Sequence, residues 1–175
     1  MPVPHDPTTP RPLAPPHARA LPALITGMGA VTPLGDDVPS FIRGLRHGRS
    51  GVSILPFTEP RMRSSVGARC TDFDPRAVLP EPELRRLPRL VPMALAAARQ
   101  ACARAGLPTG VDLPPEAARR VGLILGTGAG GIDFTLDQAA IGARGERQSL
   151  WTITNATHGN LAGELSIALG LRGPS

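Results

Sequence analysis

An α/β fold is predicted for this chain by the order in which apolar runs and helical patterns alternate along it. Two runs supply the strands. Residues 23–26 are apolar and are broken by Gly27 and Gly29, and residues 121–125 are five apolar or small residues in succession. The second run is continuous rather than alternating, as in a parallel strand covered on both faces. Helical periodicity between and after these runs gives the order strand, helix, helix, strand, helix, helix.

Residues 1–22 carry eight of the 21 prolines in the 175-residue chain. Such a segment cannot bury enough apolar surface to offset its ordering entropy, so a disordered Pro-rich tail is expected, with a partner-docking tail as the alternative. The domain is expected over residues 23–175. After the first strand, Pro33-Leu34-Gly35 reads as a turn, and Asp36 or Asp37 can cap a helix. Its apolar residues Val38, Phe41, Ile42 and Leu45 follow the i, i+3, i+4, i+7 pattern, and Gly48 and Gly51 end it. Residues 53–70 suggest turns and a hairpin. Asp74-Pro75 has the form of a helix start, carboxylate at the N-cap and proline at N1, so neither Asp72 nor Asp74 needs a catalytic role.

A longer helix is predicted over residues 89–105, closed by Gly106. Its small apolar residues from Met93 to Ala98 suit burial between layers, with Cys102 as a small core residue. Pro88 and Pro92 should make it start late. Past the second strand, a glycine loop (residues 126–131) leads into a helix through Ile132, Leu136 and Ala140. A last helix is expected from about Asn155 to Leu169, with Gly159 and Gly163 allowing close approach of another backbone and Gly170 as its cap.

Composition removes several functions. All 19 basic residues are arginine, which excludes a lysine nucleophile, a Schiff base and a P-loop lysine within these residues. The net charge of +5 comes from scattered arginines. The densest group, Arg85, Arg86 and Arg89, has no interleaved aromatics, so nucleic acid is not an expected partner. Two cysteines and four histidines form no metal-binding spacing, and no metal is expected. No apolar run approaches the ~20 residues of a membrane span, and the start lacks the apolar core of a secretory signal, so a cytoplasmic protein is expected.

Three local patterns could carry chemistry. Gly126, Gly128 and Gly131 satisfy GxGxxG, which in a dinucleotide fold lets a pyrophosphate approach a helix N-terminus. That reading needs a second strand ending near Glu146, whose neighbours are polar. The alternative is a loop whose glycines let backbone line a tunnel or pack tightly, and no cofactor is expected. His158 could be a general base or simply a polar residue at a helix N-terminus, with no orienting partner given by spacing. Cys70 has no neighbour that would clearly lower its pKa.

Six segments, in the same order, resemble the β-ketoacyl-acyl-carrier-protein synthases. They are residues 24–35, Gly48-Arg49-Ser50-Gly51, Asp72-Phe73-Asp74-Pro75, residues 94–98, residues 121–131, and residues 162–175 ending Gly-Leu-Arg-Gly-Pro-Ser. The elongating synthases of fatty acid or polyketide assembly are the type resembled. His158-Gly159 departs from the pattern, since relatives often show Pro-Asn there.

The resemblance implies the incomplete N-terminal half of a thiolase-like layered α/β fold. It also implies an acyltransferase that condenses an acyl thioester with malonyl-carrier protein through a covalent cysteine intermediate. Acyl carrier protein and a second, identical or related, subunit are the implied partners. The family's nucleophile cysteine and histidines fall beyond Ser175, so no catalytic residue is assigned and these 175 residues alone are expected to be inactive. Two substrate-binding positions carry over: Ala129 in the glycine loop, lining the acyl pocket, and Thr152, reaching toward the partner's acyl chain. Both are small, which implies room for a longer or bulkier acyl group. A non-catalytic chain-length-factor-like subunit is the alternative, and a dinucleotide-binding protein a third reading.

Overall fold

A computed structural model describes residues 23–56 and 63–175, so the expected tail over residues 1–22 lies outside the described residues. Seven α-helices are seen among them: α1 (Val38–Arg46), α2 (Glu81–Leu84), α3 (Leu90–Arg104), α4 (Pro115–Arg120), α5 (Ile132–Ala143), α6 (Thr152–Ala156) and α7 (His158–Leu169). The hairpin read in residues 53–70 is present as β1 (Val52–Ile54) antiparallel to β2 (Val66–Ala68), with Val52 opposite Ala68 and Ile54 opposite Val66.

The core lies where α3 packs on α7. Val91 and Leu95 meet Leu161, Leu165 and Leu169, with Leu79 and Leu87 closing one end. The late start foreseen for α3 holds. Pro88 precedes it, accepting a hydrogen bond from Val91 N at 3.0 Å, and Pro92 sits in the first turn, where its missing N–H is tolerated. Gly106, at φ +66°, follows the helix in the left-handed region as predicted.

Residues 23–31 run along the small-residue side of α3. Gly27 and Gly29 lie so close to the helix backbone at Ala101 and Ala97 that no side chain fits. Gln100 fastens the same segment. Its Oε1 accepts from Ala30 N at 3.1 Å, and its Nε2 donates to Ala30 O at 3.3 Å and to Asp36 O at 2.6 Å. The alanine run of α3 is thereby explained, since only small residues permit this approach.

The two predicted strands are extended but not laddered among the described residues. Residues 23–26 have no strand partner there. Residues 121–125 make two bonds to the end of the described chain, Gly173 N to Val121 O at 3.1 Å and Leu123 N to Pro174 O at 2.9 Å. They are also covered on one face only. Leu123 and Leu125 pack against the core, whereas Ile124 is 100% exposed. A strand needs a neighbour as well as a sequence, and no described segment covers that outer face.

The last helix differs from its prediction. It is two helices, α6 and α7, separated at Thr157 with ψ 117°. Hydroxyls compete for the backbone at this point: Thr154 Oγ1 donates to Trp151 O at 3.0 Å and Thr157 Oγ1 to Ile153 O at 3.1 Å. Among the described residues, no other backbone closely approaches Gly159 or Gly163: a Cβ at Gly159 would meet nothing within 4 Å, and one at Gly163 only the Asn160 side chain at 4.0 Å. Gly170 does cap α7, at φ +73°.

Asp37, rather than Asp36, caps α1, accepting from Ser40 N at 2.7 Å. Hydrogen bonds from the Ser40 side chain and backbone hold its carboxyl below the usual carboxylate range. Because the folded pKa is depressed, the cap contributes fully above the unfolded value and is lost as pH falls through the lowered folded one. The Ser40 amide resonance, followed by NMR, should therefore titrate below the ordinary aspartate range. A midpoint at or above that range would contradict the cap.

Candidate functional site

The glycine loop is built by two local devices. Gly130 takes φ +57° and donates its N–H to Thr127 Oγ1 at 3.0 Å, and Thr135 Oγ1 closes the start of α5 by donating to Gly131 O at 3.0 Å. Of the three motif glycines, only Gly131 is demanded by packing. A Cβ there would stand 2.5 Å from Asn155 O and 3.1 Å from Pro88, while nothing lies within 4 Å at Gly126 or Gly128. Loop and α6 therefore approach backbone to backbone. Ala129, two residues before that contact, is exposed.

Thr152 opens α6 and is half-buried. Its hydroxyl donates to Ser149 O at 2.6 Å, within its own loop. That loop is tied to α5 by the buried Gln138, which accepts from Ser149 N at 2.7 Å through Oε1 and from Gln148 Nε2 at 2.8 Å through its carbonyl. In α5, Phe134 and Gln138 are buried, while Ile132, Leu136 and Ala140 face outward.

The sequence does not point to the residues that hold α6. Asn155 is 1% exposed, donates its amide to the carbonyl of Arg86, and leaves its Oδ1 without a hydrogen-bond partner. Arg86 Nη1 donates to both oxygens of Glu164 on α7, each at 3.0 Å, and its guanidinium lies 5.2 Å from the ring centre of Trp151. Separations of 69 and 78 residues leave no periodic signal for these pairs.

The other candidates have structural explanations. Glu146 pairs with Arg144 at 2.5 Å in a loop rather than ending a strand, so the arrangement a dinucleotide fold requires is not formed around it. His158 is the first residue of α7. Burial first, and then Asp36, pushes the Cys70 thiol up, with Arg89 opposing; burial likewise raises Cys102. Neither environment favours the thiolate. Asp74 caps a 3-10 turn (Pro75–Ala77), accepting from Arg76 N at 3.0 Å, as its sequence implies. No group of three or more His, Cys, Asp or Glu among the described residues could hold a metal ion.

The backbone course follows that of solved ketosynthase structures. A solved structure described as the ishigamide ketosynthase/chain length factor superposes with a TM-score of 0.64 at 24% identity, covering 86% of this chain and 38% of that one. Residues 22–175 match the beta-ketoacyl synthase N-terminal domain, and the chain belongs to that family. It is 32% identical over 155 residues to 3-oxoacyl-[acyl-carrier-protein] synthase 2 of Vibrio harveyi, and 34% identical over 155 residues to the Coxiella burnetii protein of that name. Each alignment takes 87% of this chain and 36% of the relative, so the chain spans little more than a third of these relatives.

Proposed function

We infer that this chain is the N-terminal part of an acyltransferase that condenses an acyl thioester with malonyl-carrier protein in fatty acid or polyketide assembly. The match over residues 22–175 carries the reading, and the carrier protein named in its relatives supports acyl carrier protein as the partner. In such a reaction a thiolate attacks the acyl thioester and releases the carrier thiol. Decarboxylation of the malonyl group then gives a carbanion that takes the acyl group, with loss of CO2 and return of the thiolate. The nucleophile is expected outside residues 1–175. These residues contribute the glycine loop and α6 as walls of the acyl site, through Ala129 and Thr152.

Exposed apolar side chains support a second subunit. Leu136, Leu150 and Ile153 on and beside α5 and α6 are large, apolar and exposed, the mark of a surface that another chain covers. A like or related subunit is the occupant we favour. A cytoplasmic location agrees with helices none of which, among the described residues, is long and apolar enough to cross a membrane. The runner-up is a chain-length-factor-like subunit, favoured by the likeness to the ishigamide complex. Mass spectrometry of the complete protein after exposure to acyl-carrier protein separates the two. Acylation on cysteine supports the condensing enzyme, and its absence the non-catalytic subunit.

Ala129→Phe in the complete protein should lower kcat/KM for long acyl chains relative to short ones by about tenfold, by filling the pocket. An unchanged chain-length preference would remove Ala129 from the acyl wall.

A further inference from the structure

We propose that Arg86 is a positioning residue that fixes helix α6 against α7 and thereby sets the acyl-chain preference of the wall that Thr152 helps form. The second half of this statement rests on the reading of the acyl site given above.

Helix α6 has five residues and no side-chain N-cap, so it cannot persist through its own hydrogen bonds. It is separated from α7 by the extended Thr157. Its orientation must therefore come from tertiary contacts, and Arg86 supplies one at each end of the helix. The guanidinium faces the Trp151 ring just before Thr152, and the main-chain carbonyl receives the Asn155 amide one turn later. The same guanidinium is held by Glu164 on α7, whose side chain is only 11% exposed, and by Glu83 on α2 at 3.6 Å. The side chain thus joins α2, α7 and the residue that precedes α6.

Arginine suits this position and lysine does not. A planar guanidinium can lie over an aromatic face while its edge donates to a carboxylate, whereas an ammonium is a compact point charge. The pair is also shielded, with the Arg86 side chain 26% exposed, so loss of one partner leaves a poorly solvated charge. Gly131 presses against Asn155 O, which carries any movement of α6 to the loop that bears Ala129.

The test uses Arg86→Lys and Trp151→Leu in the complete protein. Hydrogen exchange at the Asn155 and Thr157 amides should quicken at least about fivefold in both variants, with Leu95 and Leu165 amides in α3 and α7 unchanged. Unchanged exchange in α6 overturns the clamp. The ratio of kcat/KM for long and short acyl thioesters should shift about tenfold while KM for malonyl-carrier protein stays constant. A uniform fall across chain lengths overturns the role in preference. Wild-type protein that turns over no acyl thioester defeats the functional reading and the acyl-preference half with it, while exchange still decides the clamp.

Discussion

Gly29→Ala is expected to lift residues 23–31 off helix α3. The added methyl would stand 1.8 Å from Ala97 O, 2.7 Å from Ala97 C and 2.9 Å from Gln100 Cβ. The first two obstacles are helix backbone, which cannot rotate aside as a side-chain tip does. Separation of the segment would also strain the bonds from Gln100 to Ala30 and Asp36. Overpacking of this kind costs about 1–3 kcal/mol, and a clash with backbone belongs at the upper end. Denaturant unfolding would measure the loss. Gly159→Ala is the matched control: it is the second residue of α7 with open space at its Cβ, and alanine there should stabilise by about 0.4–1 kcal/mol by restricting the unfolded chain. Equal losses at both positions would show that packing against α3 is not the cause.

Leu161→Ala should destabilise more strongly. Leu161 is fully buried, and it belongs with Leu95, also fully buried, to the cluster joining α7 to α3. Truncating a leucine in such a site costs about 3–4 kcal/mol, the lost transfer energy plus the cavity left behind. That is a large fraction of the about 5–15 kcal/mol that holds an ordinary domain together. Leu95→Ala should cost a similar amount, and the double variant less than the sum, because the two share one cluster. Additive losses would mean that α3 and α7 hold these leucines in independent environments. Loss below about 1 kcal/mol at Leu161 would mean that the α3–α7 contact is not the principal core.

Much of the fold is written in local chemistry. Proline and glycine punctuation, carboxylate caps and apolar spacing give α1, the Asp74 turn, the ends of α3, the hairpin and the Gly170 cap, because each depends on residues a few positions apart. The division of the last helix is not legible in the sequence, where Thr154 and Thr157 carry no distinct signal. Whether their hydroxyls bond inward or cap a turn depends on what surrounds them.

The site was legible to a smaller degree. The glycine loop stands out in the sequence, and its resemblance picks out Ala129 and Thr152, but spacing cannot reveal that Gly131 is the glycine that packing requires. Nor can it reveal Arg86. An arginine in a basic cluster has the same local signature whether it is solvated or held between Glu164 and Trp151.

Helices, turns and family membership follow from the order of residues, since short-range hydrogen bonds and patterned apolarity act within a few positions of each other. Tertiary structure decides the rest. Residues 23–26 and 121–125 have strand composition, yet without a laddered neighbour among the described residues they remain extended chain with Ile124 outward. Helix α6 is likewise held by a contact 69 residues distant in sequence, Asn155 to Arg86. The physical reason is the same for both: a strand edge and a five-residue helix leave backbone groups or apolar faces that only a distant segment can satisfy.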